Sequence, residues 1–84
     1  MATVTPELKT KLERNANALV DVIVRVKDDP QTYVQKLESR GLTVRHTYSL
    51  ISALALRGKA SAALALAQES WVVSIEADKS VHTM

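Results

Sequence analysis

Several stretches of this chain alternate apolar and polar residues with the period of two expected for a half-buried strand. Leu19–Val26 is the clearest, with Val20, Val22, Val24 and Val26 set against Asp21, Ile23 and Arg25. The valines are assigned to a core, and Ile23 falls on the opposite face between two charges. Leu42–Tyr48 alternates in the same way, Leu42, Val44, His46 and Tyr48 against Thr43, Arg45 and Thr47. In Trp71–Ala77, parity sends Trp71, Val73 and Ile75 inward and Val72, Ser74 and Glu76 outward. Leu50–Arg57 reads as a central strand. Leu50, Ser52, Leu54 and Leu56 form its core face, and Ile51, Ala53, Ala55 and Arg57 the other. The small alanines of that second face leave a shallow surface that another body can approach closely.

Between these strands the pattern turns helical. Thr5-Pro6-Glu7 supplies a cap, a first-turn proline and an acid at the positive helix end. Leu8 and Leu12 lie one turn apart, and the helix is expected to stop near Asn15. Asp29-Pro30 opens a second helix with Tyr33, Val34 and Leu37 as its stripe and Gly41 as its left-handed terminator. Gly58-Lys59 breaks the Leu50 strand before Ala60–Glu69, an alanine-rich helix former. The expected order is a short N-terminal helix followed by β-α-β-β-α-β. That is the ferredoxin-like α+β arrangement: a four-stranded antiparallel sheet with two helices on one face. The other face, from parity, carries Ile23, Thr43, Arg45, Thr47, Ile51, Ala53, Ala55, Val72, Ser74 and Glu76. Residues 1–17 are expected to form a helical arm, 18–78 the domain, and 79–84 an extended tail.

Composition narrows the chemistry. Eighty-four residues make one small domain, the net charge is +2 and there is no cysteine, so disulfide and thiolate chemistry are excluded. No apolar run approaches the ~20 residues of a membrane span, and the N-terminus lacks the apolar segment of a signal peptide. As written the chain is expected in the cytoplasm, or outside the cell if cut from a secreted precursor. No catalytic constellation is found, and no cofactor or metal is expected. His46 shares parity with core residues, His82 lies in the tail, and Asp28-Asp29 reads as a turn and cap. The RNA-recognition domain shares the expected topology, but it stacks bases on sheet aromatics. Here Ala53 and Ala55 occupy that surface and Phe is absent from the chain, so no nucleic-acid partner is expected.

Three stretches carry a resemblance: Val20-Asp-Val-Ile-Val-Arg-Val-Lys27, Tyr48-Ser-Leu-Ile-Ser-Ala-Leu-Ala-Leu56 and Trp71-Val-Val-Ser-Ile-Glu-Ala-Asp78. In order and spacing they resemble the signature strands of the subtilisin propeptide family, which includes free-standing propeptide-like protease inhibitors. The likeness spans about Leu19 to Met84. Ser52-Ala53-Leu54 departs from the family's usual Asn-Gly-Phe, Lys59-Ala60-Ser61 from its Ser-Pro-Glu helix start, and Ala77 from a frequent proline. Loss of the Ser cap is expected to weaken the following helix by about 1 kcal/mol.

The resemblance implies a non-enzymatic module that binds a subtilisin-like serine protease, monomeric when free. The uncovered sheet face would pack on two parallel helices of the protease through Ile51, Ala53, Ala55, Val72 and Ser74. Glu76 and Asp78 would cap the N-termini of those helices. The tail would lie in the active-site cleft like a product, Met84 in the primary specificity pocket, Thr83 and His82 behind it, and Val81 in the fourth subsite. A role as intramolecular folding chaperone would follow from templating the helix pair. The alternative is a ferredoxin-like regulatory or dimerisation domain without protease binding.

Overall fold

The computed structural model describes residues 3–78. Its first helix starts where local chemistry dictates. Pro6 takes the opening turn of α1 (Pro6–Arg14), and the Thr5 hydroxyl accepts a hydrogen bond from the Leu8 N–H at 3.3 Å. Leu8 and Leu12 are both buried, so α1 lays its one apolar stripe into the core and packs against the last helix.

β2 (Leu19–Val26) follows, and Asp29-Pro30 then opens the second helix as expected. The Asp29 carboxylate accepts from the Gln31 N–H at 3.0 Å. A 3-10 turn, Pro30–Tyr33, runs into α2 (Val34–Ser39). Gly41 ends it at φ +87°, a backbone that side chains rarely adopt, and the Leu42 N–H reaches back to the Leu37 carbonyl at 3.2 Å.

β3 (Thr43–Tyr48) and β4 (Ala53–Lys59) form the expected antiparallel hairpin. The strand expected over Leu50–Arg57, however, begins only at Ala53. Leu50 and Ile51 lie in the turn, where Ser52 adopts φ +50°. α3 (Ala60–Ala65) continues as a 3-10 turn, Leu66–Gln68, and β5 (Val72–Ala77) closes the order. No side chain caps α3 at Lys59. The Ala60 and Ser61 N–H groups are instead satisfied by the carbonyls of Ala18 and Ala16, at 2.9 and 3.0 Å. Backbone carbonyls thus satisfy two first-turn N–H groups that no side chain caps.

The described residues form a compact α+β domain with three helices and a five-stranded mixed sheet of order β1-β5-β2-β4-β3. This corrects the four-stranded antiparallel sheet expected from the sequence. β1 (Thr3–Val4) runs parallel to β5, pairing Thr3 with Ser74 and Val4 with Ile75. Once α1 is docked, the chain leading into it passes the free edge of β5, and its two β-branched residues pair there. All other neighbouring strands are antiparallel.

The helices cover one face only. Val22, Val24, Val26, Leu54, Leu56 and Ile75 of the sheet are buried with Leu12, Leu37, Ala60, Ala63 and Leu66 of the helical layer. At the margin of that layer Tyr33 stacks on Trp71, ring centroids 4.4 Å apart and 9° from parallel, with the Lys36 ammonium 5.4 Å from the indole centroid.

Candidate functional site: the uncovered sheet face

Two β-bulges decide what the second face of the sheet carries. In β3, Val44 pairs with Leu56 and His46 with Ala55, so Arg45 is the extra residue. Parity reverses beyond it. His46 and Tyr48 turn to the uncovered face beside Ala55 and Ala53, and Thr47 turns to the helical side, where its hydroxyl accepts from the Gln31 amide at 2.9 Å. The expected inward His46 and Tyr48 and outward Thr47 are corrected. In β5, Val72 pairs with Val26 and Ser74 with Arg25, which makes Val73 the extra residue. Val72 is therefore a core residue, 3% exposed, and the expectation that it contributes to the outer face fails. Ser74 and Glu76 lie beyond the bulge and keep the outward parity assigned to them.

The register then orders the face in rows across the strands. At one end Thr43 and Arg45 stand beside Arg57 and Asp21. The middle row is His46, Ala55, Ile23 and Glu76. The row at the hairpin end is Tyr48, Ala53, Arg25, Ser74 and Thr3. Among the described residues no helix lies over these rows: Arg25, His46, Arg57 and Glu76 are exposed.

The alanines do not present themselves to a visitor. Ala53 is 0% and Ala55 3% exposed. His46 and Tyr48, their rings 4.5 Å apart, flank them on β3, while Ile23 and Arg25 flank them on β2. The space that Ala53 and Ala55 leave is filled by these neighbours, so a docking body meets the neighbours instead. Ile51 is half exposed in the hairpin turn and lies outside the strand surface.

Charge on the face is uneven. The Asp21 carboxylate accepts from Arg57 at 2.9 and 3.2 Å and from Arg45 at 3.2 Å. The Arg57 hydrogen bonds hold its pKa below the usual carboxylate value, with the Arg45 charge adding to them and partial burial opposing. Glu76 is exposed in the row of Ile23. Beside it Thr3, Thr5, Ile23 and Ser74 line an open recess of about 560 Å³. Asp78 departs from the expected pair of exposed acids. It is only 6% exposed, just beyond β5, and its N–H donates to the Asp21 carbonyl at 3.0 Å.

Val81, His82, Thr83 and Met84, the tail residues expected in a protease cleft, lie outside the described residues. Among the described residues no group of three or more His, Cys, Asp or Glu could hold a metal ion, and no helix is long and apolar enough to cross a membrane. No family model matches the chain, and no curated protein matches it either. The face residues missed from sequence are His46, Tyr48, Asp21 and Arg25. The first two were hidden by the Arg45 bulge. The alternation of β2 already placed Asp21 and Arg25 beside Ile23.

Proposed function

We propose that the chain is a propeptide-like inhibitor of subtilisin-type serine proteases, docking through the uncovered sheet face and setting Val81–Met84 in the active-site cleft. The observation that carries this reading is a sheet with its helices on one side and its other face open across β3, β4, β2 and β5. Those four strands, in the order β5-β2-β4-β3 and all antiparallel, also support the finer ferredoxin-like βαββαβ description, to which β1 and α1 are additions. Glu76 is the acid on the face that suits the positive end of a partner helix. With Asp78 buried, Glu76 carries that role without it. The partner is a protein, the reading needs no cofactor, and the chain itself performs no catalysis.

The test is a titration of a purified subtilisin, following hydrolysis of a chromogenic peptide. Inhibition is expected, and deletion of Val81–Met84 should raise the inhibition constant by orders of magnitude. Glu76→Ala should raise it by a factor of about 2–5, the worth of one acid at a helix N-terminus. A chain that leaves the protease fully active refutes the proposal.

A further inference from the structure

Among the described residues four large apolar side chains are exposed: Leu50, Ile51 and Val73 lie at the hairpin end of the sheet, and Leu19 lies at the opposite end. Tyr48 and Ala53 are the last pair of the β3–β4 ladder, and the turn beyond them holds Leu50, 100% exposed, and Ile51, 50% exposed. That turn is not a loose tip. The Val26 N–H donates to the Ser52 carbonyl at 2.8 Å, and Ser52 sits at φ +50°, outside the usual range for a residue with a side chain. Arg25 stands in the same row as Tyr48, separated from it by Ala53, and makes no ion pair among the described residues. The opposite end of the face is different: there Arg45 and Arg57 are both committed to Asp21. Beyond them Leu19 and Lys59 are exposed as well, but the larger apolar cluster, with Tyr48 and Arg25 beside it, stands at the hairpin end.

We infer that Tyr48, Leu50, Ile51 and Arg25 form the binding centre of the docking surface, and that the partner offers an apolar groove for Leu50 and Ile51 with a carboxylate in reach of Arg25. This rests on the inhibitor reading and deepens it. Aromatic and arginine side chains carry a disproportionate share of interface energy when surrounded by apolar contact. Charge argues for a protein over an anionic membrane, because Asp28 and Asp29 follow Arg25 and Lys27 at the same end of the sheet and offset them. It also argues against a second copy whose two-fold axis passes close to Arg25, which would bring the two guanidinium groups together.

The test uses the full chain with Leu50→Ser and Arg25→Glu. Circular dichroism and Tm are expected to match the parent, because both residues are exposed. Each variant should raise the inhibition constant against subtilisin about tenfold or more, and Arg25→Glu should also change its salt dependence. If the parent inhibits and both variants inhibit equally well, this inference falls and the inhibitor reading stands. If the parent does not inhibit, both fall. Sedimentation equilibrium showing a dimer that Leu50→Ser dissociates would overturn it in favour of a second copy. Co-sedimentation with phosphatidylglycerol vesicles that Leu50→Ser abolishes would overturn it in favour of a lipid surface.

Discussion

Deleting Arg45 from the middle of β3 should leave the fold intact. Arg45 is the residue that the β4 ladder skips, since Val44 already faces Leu56 and His46 already faces Ala55. Removing it joins the two into a regular ladder and keeps His46, Thr47 and Tyr48 on their present faces. What disappears is an ion pair of 3.2 Å from a side chain 37% exposed, and Arg57 still holds Asp21 at 2.9 Å. The cost should be about 1 kcal/mol or less. Deleting Thr47 instead would turn Tyr48 to the helical side beside Leu54, overfilling the core by about 1–3 kcal/mol, and would strip the ring from above Ala53. Urea unfolding followed by Trp71 fluorescence compares the two. The Arg45 deletion should keep its m value and lose little of its midpoint, and the Thr47 deletion should lose clearly more. An Arg45 deletion that unfolds the chain, or costs more than the Thr47 deletion, would refute the assigned bulge.

Leu12 is fully buried, so Leu12→Ala should cost about 2–5 kcal/mol in chemical denaturation. That is a large part of the roughly 4–13 kcal/mol expected for a chain of 84 residues. A loss below about 1 kcal/mol would mean α1 is a peripheral arm. Gly58→Ala should lower stability by about 1–3 kcal/mol, because the added carbon would lie 2.5 Å from Leu42 Cδ2, and Leu42, 2% exposed, would have to shift within the core; an unchanged Tm would count against that packing. Hydrogen bonds from Arg57 to Asp21 and from Arg40 to Glu69 depress both carboxyl pKa values. The stability they contribute is present above the unfolded value of about 4 and is lost as pH falls through the lower folded values. Asp21→Asn with Glu69→Gln should therefore flatten the fall of Tm on acidification, and an equally steep fall would exclude both pairs as its source.

The starts of the first two helices and the end of α2 were legible because each depends on chemistry within three residues: Thr5 on Leu8, Asp29 on Gln31, Gly41 on its own φ. The start of α3 leans on the distant carbonyls of Ala16 and Ala18, which nothing in the neighbouring sequence marks. Strand positions were legible because Val22, Val24, Leu54 and Leu56 repeat at period two. A bulge leaves no such mark. It inserts one residue into the count without altering the alternation, so every assignment counted across it inverts: His46 and Tyr48 past Arg45, Val72 before Val73. β1 is two residues long and forms only because β5 offers an edge, which no local pattern announces. The same bulge explains the composition of β4. Two rings turned onto this face need space at their neighbouring positions, and β4 provides it at Ala53 and Ala55, which end 0% and 3% exposed. The alanines record the fit between β3 and β4. Recognition then belongs to the side chains standing around them, where Tyr48 and Arg25 remain beside an open turn.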